Sequence, residues 1–279
     1  MRDASPLRYP GGKWRLTSFV QRFIAINYSA PPLYVEPYAG GASLALSLLL
    51  SRAVSRIWLN DLNPALYAFW KSSLDDTRSL IRLIQRTPVT PSEWAKQKAI
   101  YDNPERARSL TALGFAAFFL NRTNHSGIFN GGMIGGKAQR GAWRIDARYN
   151  RRALVARIER VASCRRSISV SAKDGVAILG SKRITPNTLV YCDPPYYVAG
   201  PELYLDYYRP DDHRLVRNAV VELSTPWIVS YDDVPATRKL YRGYASRRLS
   251  VLHSAYEARQ GKEVMFFAPS TRIPLLPRH

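Results

Sequence analysis

The stretch Thr188–Tyr196 constrains the fold of this chain more than any other part of the sequence. Its first five residues, Thr-Leu-Val-Tyr-Cys, are apolar or favour β-structure, and they predict a buried strand. An acid, two prolines and an aromatic residue follow, and because proline cannot continue a central strand, the chain must turn at Asp193. Ligands of open α/β sheets bind beyond the carboxyl ends of the strands. The sequence therefore predicts a functional site at Asp193, on a rigid corner that can grip a planar base carrying an amino group.

The chain is strongly basic, with 41 Lys and Arg residues against 21 Asp and Glu residues and a formal net charge of +20. Its 279 residues, 46% of them hydrophobic, are enough for a large globular core. A positive charge of this size predicts a polyanionic partner, with nucleic acid as the first choice. The basic residues are spread along the chain, which disfavours a membrane surface as that partner.

Cysteine and histidine are too few and too scattered to form a metal site or a disulfide framework. The chain has two cysteines, Cys164 and Cys192, and four histidines. We therefore expect no bound metal and a reducing compartment, the cytoplasm of a bacterial or phage-infected cell. The first residues lack the apolar core of a signal peptide, and the apolar run Leu44–Leu50 is too short to span a bilayer.

The first α/β unit is predicted over residues 33–50. A strand ending in Glu36 is followed by a turn containing Gly40 and Gly41 and by an apolar helix, which is typical of nucleotide-binding βαβ units. The turn matches neither the Gly-x-Gly-x-x-Gly pattern nor a P-loop. An acid at the strand end would repel phosphates, so Glu36 favours a cationic ligand.

A second strand is predicted over Arg56–Asn60, and it ends at Asp61. An acid at this place in a Rossmann-like unit commonly binds ribose hydroxyls. Asp61 can also be interpreted as the cap of a helix that starts near Pro64. The two interpretations are compatible.

The α/β pattern is interrupted between residues 65 and 160, where helical segments surround a loop over residues 121–137 that is rich in Gly and Asn. Connecting loops are usually shorter than this. Such a loop with Arg122, Lys137, Arg140 and Arg144 close by suits a surface that contacts phosphates and base edges. An exposed loop without a function is the competing interpretation.

The α/β pattern returns after residue 166. Polar and Tyr-rich residues over 197–210 predict a mobile lid beside the site. The remaining predicted elements are a strand over 167–171 before Asp174, a helix over 175–179, a helix over 211–223, a strand over 226–231, and a closing strand pair over 245–251 and 263–268.

Six short stretches, taken in chain order, resemble the Dam-type adenine-specific DNA methyltransferases. They are Tyr9–Lys13, Val35–Gly41, Asn60–Asn63 around Asp61, Leu120–Arg122, Asp193–Tyr196 and Lys262–Met265. Tyr9 stands where the family often has Trp, and the residues beyond Arg122 depart from the family pattern, so the recognition sequence cannot be carried over.

This resemblance implies S-adenosylmethionine as methyl donor and an adenine of double-stranded DNA as acceptor. It implies an α/β fold, with a Rossmann-like class I methyltransferase sheet, helices on both of its faces, and an inserted, mainly helical DNA-recognition domain with a hairpin or loop. The catalytic domain would comprise residues 1–64 and 161–279, and the insertion residues 65–160. We expect a monomer or weak dimer.

The resemblance also assigns roles to residues. The catalytic residues would be Asp193, Pro194 and Tyr196. The cofactor would be bound by Tyr9, Gly12, Lys13, Glu36, Pro37, Tyr38, Gly40, Gly41, Asp61, Leu62, Asp174 and Asp193. DNA would be bound by Arg8, Asn121, Arg122, Asn124, Lys137, Arg140 and Arg144.

Three alternatives stay open at this level. An RNA adenine methyltransferase would use the same chemistry, and a catalytically inactive basic DNA-binding protein would explain the charge. Methylation of a cytosine amine would need similar geometry, although Asp at the first position of the motif favours adenine. A role in restriction–modification, in a phage or in housekeeping is equally open.

Overall fold

The computed structural model describes residues 4–8, 13–197, 208–253 and 259–275. Seven strands form one sheet in the order β3-β2-β1-β4-β5-β7-β6. The strands are β1 (Leu33–Glu36), β2 (Arg56–Asn60), β3 (Ile168–Ser171), β4 (Thr188–Cys192), β5 (Trp227–Asp232), β6 (Ser246–His253) and β7 (Arg259–Phe267). Strands β1 to β5 are parallel, and β7 is antiparallel to both β5 and β6.

Ten α-helices lie in the described part of the chain. They are α1 (Thr17–Asn27), α2 (Ser43–Leu50), α3 (Pro64–Asp75), α4 (Thr77–Arg86), α5 (Pro91–Asp102), α6 (Leu110–Thr123), α7 (Arg151–Ser163), α8 (Gly175–Leu179), α9 (Pro210–Val221) and α10 (Pro235–Leu240). A 3-10 helix, Lys13–Leu16, leads into α1. The predicted strands and the closing strand pair are confirmed, and no strand end shifts by more than four residues.

Helices cover both faces of the sheet, as predicted. Side chains of β1, β2 and β4 alternate between two hydrophobic clusters because successive residues of a strand point to opposite faces. The larger cluster joins Tyr34 of β1 to Phe23 of α1 and Phe118 of α6, and the smaller one joins Val35 to Val216 of α9. The strand order, with the chain crossing from β3 on one side of β1 to β4 on the other, is Rossmann-like.

The helices of the predicted insertion share the larger cluster with the sheet. Helices α3 and α6 approach closely at Gly114, where a Cβ atom would lie 2.7 Å from the backbone carbonyl carbon of Ala68. The aromatic rings of Phe69 and Phe118 stack between the same two helices with centroids 5.7 Å apart. The division into a catalytic domain and an inserted domain therefore stays a prediction, since the inserted helices have no hydrophobic cluster of their own in the described residues.

Candidate active site and nucleic-acid surface

Four neighbouring parallel strands each deliver an acidic residue to the same edge of the sheet. In sheet order, Asp174 follows β3, Asp61 follows β2, Glu36 ends β1 and Asp193 follows β4. The carboxyl ends of parallel strands meet at one edge, so the four carboxyl groups belong to one region. Such an edge suits a ligand that carries positive charge and hydroxyl groups.

Asp193 is held at both of its carboxylate oxygens. Ser230 donates a hydrogen bond to Oδ1 at 2.6 Å, and Lys13 Nζ lies 3.1 Å from Oδ2. The contact to Ser230 follows from the register, because Cys192 pairs with Val229 and the next residue on each strand is therefore a neighbour. The side chain of Asp193 is still 25% exposed. A fixed carboxylate that remains accessible can accept a hydrogen bond from a ligand.

Lys13 connects three segments that are distant in the sequence. Its ammonium group lies 3.1 Å from Asp193, donates to the Tyr196 hydroxyl at 2.8 Å and donates to Glu263 Oε1 at 3.1 Å. The Tyr196 hydroxyl also donates to Glu263 Oε1. An ammonium group has three donors. The three protein acceptors match that number, so Lys13 joins the segment Asp193–Tyr196 to β7.

The charges at this site shift the pKa of both partners of the ion pair. Burial by itself would lower the pKa of Lys13, but Asp193, Tyr196 and Glu263 raise it well above the ordinary value. Burial raises the pKa of Asp193, Lys13 lowers it, and Glu263 raises it further. Lys13 is therefore charged at neutral pH, and Asp193 holds a proton more readily than an exposed aspartate would.

Glu36 is buried and accepts a hydrogen bond from the Tyr34 hydroxyl at 3.0 Å. Burial raises the pKa of Glu36 to about 8, and nearby Asp193 adds to this rise. At neutral pH Glu36 therefore holds a proton more readily than an exposed glutamate would. Its predicted role toward a cationic ligand stays a prediction.

Asp61 ties the turn after β1 to the turn after β2. Its Oδ2 accepts from the backbone N–H of Gly40 at 2.8 Å, and its Oδ1 accepts from the N–H of Asn63 at 3.0 Å. The cap of α3 is Asn63, whose side chain accepts from Ala65 and Leu66. The helix-cap interpretation of Asp61 is thus wrong, and Asp61 remains partly exposed beside the exposed side chain of Leu62.

The remaining predicted cofactor residues surround the same turns. Pro37, Gly40 and Gly41 are buried, and Gly40 has a φ of 47°, which favours glycine. The carbonyl of Gly41 accepts from Ser5 Oγ at 2.6 Å. Asp174 caps α8 and is exposed.

Tyr38 extends from the β1 turn toward α8, where a Cβ at Gly175 would lie 2.3 Å from its ring. Its hydroxyl accepts a hydrogen bond from the Tyr208 hydroxyl at 3.2 Å. Tyr9 and Gly12 lie outside the described residues, as does most of the predicted lid, residues 198–207. Their predicted roles stay predictions.

Exposed cations surround the loop that follows α6. We call residues 135–148 the arginine loop, and its cations are Lys137, Arg140, Arg144 and Arg148. None of these four makes an ion pair within the described residues. Arg8 lies close by, since its backbone is hydrogen-bonded to Asn121 of α6. Burial and the charge of Arg148 lower the pKa of Arg8. The loop presents unneutralised positive charge to solvent.

The arginine loop has a defined internal framework. The amide nitrogen of Gln139 donates to the carbonyls of Ile134 at 2.9 Å and Gly136 at 2.6 Å, and its amide oxygen accepts from the N–H of Ile145 at 2.8 Å. Trp143 is 66% exposed on this framework, with the guanidinium of Arg148 5.6 Å from its ring centroid.

Two predicted DNA contacts are corrected, because Asn121 and Asn124 are fully buried. Asn121 accepts from the N–H of Arg8 at 2.7 Å and donates to the carbonyls of Arg8 and Gly127 at 2.6 and 3.0 Å. Asn124 accepts from Trp94 at 2.6 Å and donates to the backbone at Ile128 and Phe129.

These two amides satisfy backbone groups of the loop, so they position it and do not reach DNA. Arg122 is also buried, which disfavours the direct DNA contact that was predicted for it. Residues 124–150 contain one isolated bridge, Asn124 with Met133, and otherwise form turns and a 3-10 helix. The sequence left open whether this segment forms a hairpin or a loop, and the structure shows a loop.

Three residues of interest were missed by sequence reasoning: Ser230, Glu263 in its contact with Lys13, and Trp143. The sequence around Glu263 could have indicated a special role, because an acid directly before four apolar residues of a strand is unusual. The same holds for Trp143, since a Trp between arginines in a polar loop is unusual. Ser230 had no such signal, because its contact depends on the register of β4 and β5.

Within the described residues, no cluster of His, Cys, Asp and Glu side chains has the arrangement of a metal site. No described helix has the length and hydrophobicity that a membrane span requires.

Comparison with solved structures gives distant similarities. An rRNA methyltransferase from Streptomyces viridochromogenes is 14% identical, with 91% of this chain and 84% of that chain covered and a TM-score of 0.37. A candidate class I S-adenosylmethionine-dependent methyltransferase from Listeria monocytogenes is 10% identical, with 98% of this chain and 65% of that chain covered and a TM-score of 0.42. A precorrin-6y C5,15-methyltransferase from Geobacter metallireducens is 10% identical, with 92% of this chain and 88% of that chain covered and a TM-score of 0.36. No curated protein sequence matches the chain.

The sheet is Rossmann-like, with an acid at the carboxyl end of each of four adjacent strands, and the protein is a methyltransferase that uses S-adenosylmethionine. The chain belongs to the D12 class N6 adenine-specific DNA methyltransferase family, whose model matches residues 9–254. It is therefore an enzyme that methylates the N6 amine of adenine in DNA, and the resemblance found in the sequence is confirmed.

Proposed function

We propose that the chain methylates an adenine extruded from duplex DNA at a specific sequence, with Asp193, Pro194 and Tyr196 receiving the base. The observation that supports this most directly is the state of Asp193. Its carboxylate is fixed by Ser230 and Lys13 and is still accessible at the ligand edge of the sheet. Pro194 and Tyr196 follow it within three residues, so one turn can contact both the amine and the ring of a base.

The residues at this edge fit S-adenosylmethionine. Asp61, partly exposed at the end of β2, would hold the ribose hydroxyls, with the exposed side chain of Leu62 beside the purine. The buried turn at Gly40 and Gly41 would allow close backbone approach, and Asp174 and Tyr38 would complete the pocket. When bound, S-adenosylmethionine supplies a methyl group that forms a bond to the amine nitrogen while its bond to sulfur breaks, and the electron pair of that bond remains on sulfur.

The protein has to make the adenine amine more nucleophilic, because its lone pair is delocalised into the ring. Asp193 accepts one N–H of the amine, and the Pro194 carbonyl accepts the other. This pair of hydrogen bonds favours tetrahedral geometry at nitrogen and aims the lone pair at the methyl group. The proton that the methylated amine loses passes to Asp193 and then to water. Orientation of two reactants can supply up to roughly 7–11 kcal/mol of the barrier reduction.

The base has to leave the duplex to reach this turn, which costs a few kcal/mol. Tyr196 is buried and its hydroxyl is tied to Lys13 and Glu263, so its ring is held in one orientation. Contact between a base and an aromatic ring contributes about 1–3 kcal/mol. The arginine loop, with Arg8 beside it, would hold the phosphates and thereby offset part of the cost of extrusion.

The experiment compares nucleic acids as acceptors. The purified chain is incubated with labelled S-adenosylmethionine and with duplex DNA, single-stranded DNA or structured RNA, and modified positions are mapped by sequencing. We expect N6-methyladenine in one sequence context of duplex DNA. Equal or preferred methylation of RNA, or methylation of cytosine, would contradict the proposal. Sedimentation in the same buffer tests the proposed monomer or weak dimer.

A further inference from the structure

We propose that Glu263 is a positioning residue for methyl transfer, acting through Lys13 and Tyr196 on the carboxylate of Asp193. This inference rests on the proposed function, since it assumes that Asp193 receives the adenine amine. Glu263 lies on β7, 70 residues after Asp193, and its side chain is 1% exposed. It therefore acts through other side chains and does not touch the base itself.

The first step of the argument concerns Lys13. Its three ammonium hydrogens are matched by three protein acceptors, on Asp193, Tyr196 and Glu263. A cofactor carboxylate could bind Lys13 only by displacing one of them. In this inference Lys13 connects both ends of the turn Asp193–Tyr196, which we call the catalytic turn, to β7. Its role as a cofactor ligand stays a prediction.

The second step concerns Tyr196. Its hydroxyl accepts from Lys13 at 2.8 Å and donates to Glu263, so the ring is fixed at its far end. Asp193, three residues earlier, is fixed by the same ammonium group. Glu263 thus sets the position of Lys13, and Lys13 sets the distance between the carboxylate and the ring that receive one base.

The third step concerns energy. A carboxylate among the apolar residues of β7 loses its hydration, and an ion pair in such a place often contributes no more stability than well-packed apolar side chains would. Stability alone therefore explains Glu263 poorly. Glu263 also acts on the charge of Asp193. The positive charge of Lys13 alone would make Asp193 a weaker hydrogen-bond acceptor, and the carboxylate of Glu263 offsets this effect.

Several titratable groups act on Asp193. They are Lys13, Glu263, Glu36, Tyr34, Tyr191 and Cys192. Because Asp193 has to be ionised to accept an N–H, activity is lost as the pH falls through its raised pKa. Removing the negative charge of Glu263 removes one cause that raises this pKa. The acidic limb of the activity profile then moves to lower pH.

The experiment measures kcat and KM for DNA and for S-adenosylmethionine as a function of pH in the full chain and in Glu263→Gln. We expect kcat to fall by about 10-fold to 100-fold, since small misplacement of reacting groups costs this much. We also expect the acidic limb to move to lower pH, with KM for S-adenosylmethionine unchanged. A matched control is Asp233→Asn, which removes another carboxylate with a side chain 1% exposed. That carboxylate is bound to Arg238 and Arg248 and not to Lys13. Its acidic limb should stay in place.

Two results would overturn the inference. One is that folded Glu263→Gln has the same acidic limb as the unmodified chain. The other is that its KM for S-adenosylmethionine rises while kcat does not fall. If Glu263→Gln does not fold, Tyr196→Phe tests the same connection by removing only the hydroxyl, and unchanged kcat there would equally contradict it. Asp193→Ala separates the two proposals. If it retains turnover, the proposed function fails, whereas its loss of turnover together with unaffected Glu263→Gln refutes only this inference.

Discussion

The catalytic turn and the arginine loop differ in whether their charged groups have partners within the protein. At the catalytic turn, one buried ammonium group has three protein acceptors, and both oxygens of Asp193 have donors. On the arginine loop, four exposed cations make no ion pair with any described residue. The first arrangement fixes geometry before any ligand arrives, and the second leaves charge available for a partner. Under the proposed function, the catalytic groups are preorganised, whereas the charge of the arginine loop would be neutralised only when DNA binds.

The largest effect is expected from Asp193→Ala, which breaks the catalytic side of the comparison. Methyl transfer should fall on the order of 10²–10⁴-fold or more, because the acceptor for the amine hydrogen is lost. DNA binding should be nearly unchanged. Single-turnover transfer of labelled methyl groups and a mobility-shift titration measure the two quantities. Asp75→Ala, which removes an exposed acid paired with Lys71, is the control. Persistent turnover in Asp193→Ala would show that another residue receives the amine.

A smaller effect is expected from Trp143→Ala, on the other side of the comparison. An exposed indole between cations can stack on a base or sugar, and its loss should weaken DNA binding by about 1–3 kcal/mol. The effect should appear as a higher KM for DNA, with turnover at saturating DNA little changed. Trp143→Phe keeps an aromatic ring and should retain most of the affinity. Equal affinity of Trp143→Ala and the unmodified chain would remove Trp143 from the DNA surface.

The smallest effect is expected from Arg144→Gln. Each neutralised phosphate contributes about −0.9 to the slope of log affinity against log salt, so this slope should flatten by about one unit. Arg82→Gln, which changes an exposed residue of α4 outside the arginine loop, should leave the slope as it is. Fluorescence anisotropy over a series of salt concentrations measures both. A slope that stays constant in Arg144→Gln would place the phosphates elsewhere.

The sequence was sufficient for the parts of the fold that depend on local patterns. The strand before Asp193, the unit around Glu36 and the closing strand pair were all recognised, because buried strands and proline turns leave strong local signals. The contact of Ser230 with Asp193 could not be predicted, since it depends on the register of two strands whose pairing is a property of the whole sheet.

Polar residues at the C-terminal end of α6 were the least predictable. Asn121 and Asn124 are as polar as a DNA-reading residue, and nothing in their neighbours reveals which way they face. In the fold, buried carbonyl groups of the loop need donors, and these two amides supply them. The protonation of Glu36 was equally unpredictable from the sequence. Its side chain is buried only in the assembled sheet, and this burial raises its pKa to about 8.

The short segment before residue 9 has a practical consequence for handling the enzyme. Ser5 is bonded to the Gly41 turn on the cofactor side, and Arg8 is bonded through its backbone to Asn121 at the end of α6. Arg157 of α7 also donates to the Ser5 carbonyl at 2.8 Å. These few residues thus connect the loop after α6 to the turn after β1. Removing them would disturb both regions at once.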